Sequence, residues 1–319
     1  MDIVACTDNN YVMPTGVMIY SVCCNNADVN ITFHIITGGV EIQGKEQLIR
    51  TIEPFTNKTI VFYDAKELDI SVFPQMENCL YPTSAFYRLM INELLPVTLN
   101  KVLYLDVDLI VRQSLLPLWN VELEDYAIAA IPDWHVECSD FDKRLNYPKE
   151  LGYINTGVLL INLEYWRTHN VLNSFIDYMI QHADKIIYAD QDILNYVFRE
   201  NKMILPIKYN LQTGLIWNCT KEQFDEEEYN RIIQESLRDC VIVHYSGGKP
   251  WKKGCRHPFR RSFHKYYSQT LWKNDPLQET RPLKLRIIKF FSTKLRRLKL
   301  IPELPPYGKE FIEGLEPLD

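Results

Sequence analysis

The chain has 319 residues, 46% hydrophobic and 24% charged, enough to bury one sizeable core in an ordinary globular protein. Its net charge of −6 argues against general nucleic-acid binding. No run reaches the roughly 18 apolar residues that span a bilayer.

The start, MDIVACTDNN, lacks the basic and apolar regions of a signal peptide. The eight cysteines are scattered without a CxxC pair, which suggests reduced thiols in a cytosolic protein rather than a disulfide framework or a zinc site. Ile3–Cys6 reads as a strand, and Pro14–Cys24 as a helix with Pro near its first turn. Ile31–Ile36 and Thr59–Tyr63 read as strands flanking a helix over Lys45–Ile52, and Phe86–Leu95 as a helix. Ala127–Ile131, Gly157–Ile161 and Val241–Val243 are strand-like, while Val171–His182 and Asp190–Phe198 are helical, with Asp190 as a cap for the latter. Lys221–Ser236 has the polarity of a surface helix. Strand–helix alternation predicts a mainly parallel sheet with helices on both faces, and ligands beyond the carboxyl ends of its strands. Asp8, just after the first strand, is then expected to share a cleft with the acidic pair described next.

That pair lies in KVLYLDVDLIV, Lys101 to Val111. Val102–Leu105 is a short apolar run suited to a buried strand, and Asp106 and Asp108 follow it. In extended chain, positions two apart point to one side, so both carboxylates converge. Like charges held so close repel unless a cation sits between them. Hard oxygen ligands at the end of a buried strand suit Mg²⁺ or Mn²⁺. A solvated turn is the alternative reading of Asp-x-Asp alone.

Four pieces in order, ACTDNNY, SAFYRL with KVLYLDVDLIV, INTGVLLINLEYW with ADQDILN, and HYSGGKPW, resemble glycosyltransferase family 8 over roughly residues 1–255. This is the family of retaining GT-A enzymes that includes lipopolysaccharide galactosyl- and glucosyltransferases. The resemblance implies a UDP-sugar donor, UDP-galactose or UDP-glucose, and Mn²⁺ (or Mg²⁺) held by Asp106, Asp108 and His244. It implies that Cys6, Thr7, Asp8, Asn10 and Tyr11 hold the nucleoside, with Tyr11 stacked on the base and Asp8 accepting from the uracil edge. Val107, Gly247 and Gly248 would border the diphosphate, and Lys249 would supply a point charge to it. Arg88, Asn155 and Thr156 would line the donor-sugar pocket beside Asp190 and Gln191. Two departures stand out: Asn9 replaces a second acid often found after Asp8, and one residue fewer separates Gly247 from Lys249.

A retaining transferase by double displacement needs a strong nucleophile, such as the carboxylate of retaining glycosidases. The resemblance places Gln191 at the family's reactive-face position, and its amide oxygen is a weak nucleophile. The expected mechanism is therefore front-side displacement, with Gln191 stabilising positive charge, Asp190 anchoring donor hydroxyls and Asp192 further out. Asp190, Gln191 and Lys249 are the expected catalytic groups.

Beyond residue 275, residues 281–300 carry eight Lys/Arg and no Asp/Glu, leaving about −14 on the remainder. Leu285, Ile288, Phe291, Leu295 and Leu298 form an apolar stripe among those cations, the pattern of an amphipathic helix on an anionic membrane. Packing on the catalytic domain is the alternative. The organisation expected is a GT-A α/β catalytic domain over 1–275, a basic amphipathic helix over 276–300, and an acidic Pro-containing tail over 301–319. The function expected is hexose transfer to a saccharide acceptor, lipopolysaccharide or glycolipid, at the inner face of the cell membrane. Rival readings are a sugar-nucleotide-forming nucleotidyltransferase, disfavoured because no glycine follows the first strand; a non-catalytic saccharide- or membrane-binding protein of the same fold; and a transferase acting on protein or storage polysaccharide.

Overall fold

The computed structural model describes residues 1–74, 83–133, 136, 140–216, 226–255 and 257–279, with six further positions between 291 and 300. The described residues form ten strands: β1 (Asp2–Asp8), β2 (Ile31–Gly38), β3 (Lys58–Asp64), β4 (Lys101–Leu105), β5 (Leu109–Val111), β6 (Ile128–Pro132), β7 (Ile154–Asn162), β8 (Lys202–Ile204), β9 (Leu211–Gln212) and β10 (Ile242–His244). Seven make one sheet in the order β3-β2-β1-β4-β7-β6-β8, and three make a small sheet, β5-β10-β9. The pairs β3–β2, β2–β1, β1–β4 and β6–β8 are parallel, whereas β7 runs against both its neighbours, β4 and β6. The principal helices are α1 (Val12–Asn25), α2 (Ile42–Ile52), α3 (Val171–His182), α4 (Asp190–Val197), α5 (Glu226–Arg238) and α6 (Arg260–Tyr267).

The central strands are apolar at successive positions because both faces of the sheet are covered. Ile3, Ala5, Leu103, Leu105, Val158 and Leu160 pack in one cluster with Val17, Ile19 and Leu48 of α1 and α2. The alternating residues Val4, Val102, Tyr104, Leu159 and Ile161 enter a second cluster with Phe175, Met179, Ile193 and Leu194 of α3 and α4. Strand periodicity thus divides one apolar run between two cores. Full burial of each such Leu or Ile contributes roughly 1.5–3 kcal/mol.

Several expectations are corrected. Phe86–Leu95 is not one α-helix. Thr83–Met90 is a 3₁₀ helix, followed by a single α turn, Ile91–Leu94. With three residues per turn, Phe86 and Leu89 fall on one face, and both are buried in the second cluster. Asp190 does not cap α4. Ala189 takes the cap position with φ 46° and ψ −123°, and Asp190 is the first helical residue. The surface helix is described over Glu226–Arg238, and the expected start at Lys221 lies outside the described residues. Most of the amphipathic segment, and all of 301–319, also lie outside them. Where that segment is described, Phe291, Leu295 and Leu298 are 58%, 38% and 67% exposed, so these positions of the apolar stripe are not packed into the catalytic core. Among the described residues, Cys6, Cys23, Cys24, Cys240 and Cys255 are free thiols, and no helix is long and apolar enough to cross a membrane.

Candidate active site

The chain leaves the large sheet after Leu105 and enters the small one at Leu109, so Asp106 and Asp108 stand where the two sheets part. Backbone hydrogen bonds tie this corner to both sides, Asp106 N–H to the Gly157 carbonyl (2.8 Å) and Tyr245 N–H to the Asp108 carbonyl (2.9 Å). His244 closes β10 opposite Leu109. That register sets His244 Nε2 3.2 Å from Asp108 Oδ1 and 3.7 Å from Asp106 Oδ2. One ligand atom from each of the three residues lies within 4.8 Å of the others. Two carboxylates and an imidazole suit a first-row divalent ion such as Mn²⁺ better than Ca²⁺. Lys249 Nζ pairs with Asp108 Oδ2 and donates to the Tyr245 carbonyl, so positive charge already rests against this acid. Burial opposes ionisation of Asp108, but Lys249 and His244 outweigh it and hold the carboxyl well below the usual range.

Gly157 was not singled out in the sequence. A Cβ there would lie 2.3 Å from His244 Cε1 and 2.9 Å from Asp106 Oδ2, so only glycine leaves room for the cluster. Its signal was a glycine inside an otherwise apolar strand, which often marks close approach.

Arg88 bridges the acidic cluster and the sugar-side residues. Its guanidinium contacts Asp106 Oδ1 (2.9 Å), Asp190 Oδ2 (3.1 Å) and the Thr156 carbonyl (2.7 Å), and lies 4.6 Å over the Tyr104 ring. Tyr104 also donates to Asp106 Oδ1 at 2.9 Å. Thr156 Oγ1 donates to Asp190 Oδ2 at 3.0 Å. Burial pushes Asp190 up to about 6, with Arg88 opposing the shift and Asp106 adding to it. Asp190 serves this contact set in place of capping its helix.

Gln191 Oε1 accepts from Asn155 Nδ2 (3.1 Å) and Thr156 N–H (3.3 Å), and Gln191 Nε2 donates to Asp133 Oδ2 (3.1 Å). Asp192 faces the other way and is 0% exposed. It receives two bonds from Arg144 (2.6 and 2.8 Å), one from the Tyr153 hydroxyl (2.6 Å), and the N–H groups of Ile187 and Tyr188. This carboxylate braces the turn into α4.

Arg88, Asp106, Asp108, Asn155, Thr156, Asp190, Gln191, His244, Gly247 and Lys249 all line one cleft of about 520 Å³, together with Asp133, Gln212, Thr213 and Ser246. Asn10 and Tyr11 line a second cavity of about 770 Å³, where Tyr11 meets Trp251 edge-on at 6.1 Å. Asp8 lies at the carboxyl end of β1 but lines neither cavity, because its carboxylate accepts from Asn10 N–H (2.8 Å) and caps a short turn. Thr7 is buried against Thr15, with hydroxyl oxygens 2.8 Å apart. Burial pushes the Cys6 thiol up to about 12, so it packs as a neutral group. Val107 packs on the first core, and Gly248 accepts from the Cys255 thiol through its carbonyl. Asp133 was also missed, since a lone buried acid carries no periodicity to reveal it.

The acidic pair thus stands at the junction of a mixed sheet and its small partner sheet. The chain belongs to glycosyl transferase family 8, whose family model matches residues 2–255. General stress protein A of Bacillus subtilis is 28% identical over 280 residues, covering 85% of this chain and 94% of that protein. A lipopolysaccharide 1,2-glucosyltransferase of Escherichia coli is 29% identical over 315 residues, covering 97% of this chain and 86% of that one. Among solved structures, galactosyltransferase LgtC in complex with donor and acceptor sugar analogues is similar with a TM-score of 0.74 and 27% identity, over 90% of this chain and 99% of LgtC.

Proposed function

We propose that the enzyme transfers a hexose, galactose or glucose, from its UDP-sugar to a saccharide acceptor with retention, using a divalent cation held by Asp106, Asp108 and His244. The observation that carries this reading is the convergence of that cluster with Arg88, Asp190 and Gln191 on one cleft. The cation, Mn²⁺ or Mg²⁺, would supply charge stabilisation for the departing diphosphate. Lys249 offers a second positive charge from the same wall. Arg88 and Asp190 orient the donor's hydroxyls, with Asn155 and Thr156 beside them.

Two observations favour front-side displacement over a covalent intermediate. Gln191 Oε1 already accepts from two N–H donors, and Asp192 is buried under five. Neither offers a free electron pair to the anomeric carbon. In a front-side reaction the acceptor hydroxyl attacks the face that the diphosphate leaves, and the departing phosphate oxygen takes its proton. The Gln191 carbonyl then faces the developing positive charge as a dipole.

The name of the Escherichia coli relative supports a lipopolysaccharide-type acceptor. The basic residues of 281–300, with exposed Phe291 and Leu298, support attachment to an anionic membrane. The direct test is UDP release from UDP-galactose and UDP-glucose, with Mn²⁺ or with EDTA, for wild type and Asp108→Ala. Turnover of one donor with metal, abolished by EDTA and by the substitution, is the expected result. Binding and cleavage of neither donor would overturn the reading.

A further inference from the structure

Asp190 and Gln191 enter the cleft from a turn whose backbone alanine rarely adopts. Gln191 N–H donates to the Tyr188 carbonyl at 2.9 Å and closes a four-residue turn over 188–191. Ala189, its first central residue, has φ 46° and ψ −123°. These are the angles of the first central position of a type II′ turn, where glycine is the ordinary occupant because a Cβ is crowded there. A non-glycine residue so strained persists only where its surroundings over-determine it. Ala189 is 0% exposed and packs in the second core, so its methyl group is enclosed.

The groups that hold this turn lie behind the cleft wall. Asp192 Oδ2 reaches back to the N–H groups of Ile187 (2.7 Å) and Tyr188 (2.8 Å), the two residues before Ala189. The arrangement is related to a capping box, in which a carboxylate of the first helical turn accepts from the backbone that precedes it. Arg144 then clasps both flanks. Its Nη1 donates to Asp192 Oδ2 and to the Lys185 carbonyl, both at 2.6 Å, and its Nη2 donates to Asp192 Oδ1 at 2.8 Å. The guanidinium also lies 5.6 Å over the Tyr188 ring. Asp192 is 0% exposed, and a charge so buried needs a paired counter-charge. Arg144 itself belongs to the short helix Phe141–Leu145, anchored by Phe141 and Leu145 in a separate small cluster with Tyr147 and Tyr153.

Contacts on the cleft side do a different job. Arg88 and Thr156 hold the Asp190 carboxylate, and Asn155, Thr156 and Asp133 hold the Gln191 amide. They fix the tips of two side chains and leave the N–H groups of Ile187 and Tyr188 to Asp192.

We infer that Arg144 and Asp192 form a positioning pair that holds the strained Ala189 turn. The pair thereby sets the main-chain path by which Asp190 and Gln191 face the cleft, without touching substrate. What Asp190 and Gln191 do rests on the proposed function; the brace rests on the geometry of residues 185–192.

The test compares full-length wild type, Arg144→Ala, and Arg144→Ala combined with Ala189→Gly. Amide hydrogen exchange, calorimetric UDP binding with Mn²⁺, and UDP release are measured for each. In Arg144→Ala, exchange over 186–192 should quicken while that of β1 and β4 stays as in wild type. Its kcat for UDP release should fall by about 10–100-fold, yet UDP, which lacks the sugar, should bind as tightly as to wild type. Adding Ala189→Gly should recover most of the lost kcat, because glycine adopts this turn without the steric cost.

Wild-type exchange and kcat in Arg144→Ala would overturn the inference. So would loss of UDP affinity together with kcat, as a merely structural role requires, or no recovery on adding Ala189→Gly. If Arg144→Ala fails to fold by circular dichroism, Asp192→Asn takes its place with the same expectations. Recovery through residue 189 would also exclude attack by the Asp192 carboxylate, which no change in the turn could restore. If wild type releases UDP from neither donor, the proposed function falls, and exchange over 186–192 still judges the brace.

Discussion

The tightest constraint in the site is the missing side chain of Gly157. In most strands Gly→Ala is benign or favourable, because alanine loses less backbone entropy on folding. Here the added methyl would meet the His244 ring at 2.3 Å and an Asp106 oxygen at 2.9 Å. Displacing a catalytic group by about 1 Å can cost on the order of 100-fold in rate. Gly157→Ala should therefore lose about 100-fold or more in UDP release assayed with Mn²⁺, if the proposed function holds, while its circular dichroism remains native. An activity within threefold of wild type would show that the cluster adapts. The DVD pair was legible in the sequence because both acids are two apart on one strand end. Gly157 and Arg144 were not, because what makes them matter is contact with residues far away in the chain.

Helix α1 is held between the sheet, α6 and the segment after it. Asn25 at the end of α1 donates to Val111 O (3.0 Å) and to the Tyr266 hydroxyl (2.8 Å), and Trp272 lies against Gly16. Alanine is favoured over glycine by about 1 kcal/mol in a helix interior. A methyl at residue 16 would sit 2.1 Å from the Trp272 ring, however, and overpacking costs roughly 1–3 kcal/mol. Packing should win over propensity, so Gly16→Ala is expected to lower the urea-unfolding free energy by about 0–2 kcal/mol. A gain of about 1 kcal/mol would mean that Trp272 moves aside freely. At this scale the sequence was most readable for α1, α2, α3 and the parallel strands, whose hydrophobic patterns match their burial. The 3₁₀ helix over Thr83–Met90 was misread as α because Phe86 and Leu89 suit either period.

Across the molecule, pH and charge give two further tests. His257 is 3% exposed against the Tyr245 ring, and burial, aided by Lys249 and His244, lowers its pKa to about 3. The native state holds it neutral while the unfolded chain protonates it near 6.5. Its contribution to stability is thus present above pH 6.5 and is lost as pH falls toward 3, by up to about 1.4 kcal/mol per pH unit. His257→Asn preserves an acceptor for the Phe259 N–H, bonded at 3.2 Å, and removes the titration. Urea unfolding between pH 6.5 and 4.5 should show a shallower loss for this variant than for wild type, and parallel slopes would refute the assignment. The basic segment gives the second test. Truncation before Pro282 should abolish co-sedimentation with anionic vesicles and leave UDP release from free donor intact. Undiminished vesicle binding would count against a membrane role for 281–300.

Sequence alone determined the alternating α/β order, the strand that carries Asp106 and Asp108, and the motifs that place the chain in its family. These are local properties: hydrophobic period, strand-end acids and short motifs survive in one dimension. Tertiary structure decided that β7 runs against its neighbours, that His244 and Gly157 meet at the acidic pair, and that Asp192 is buried under Arg144 while Asp190 and Gln191 face the cleft. Those outcomes depend on register between distant strands and on competition for hydrogen bonds in a closed interior, and neither is written in any single stretch of the chain.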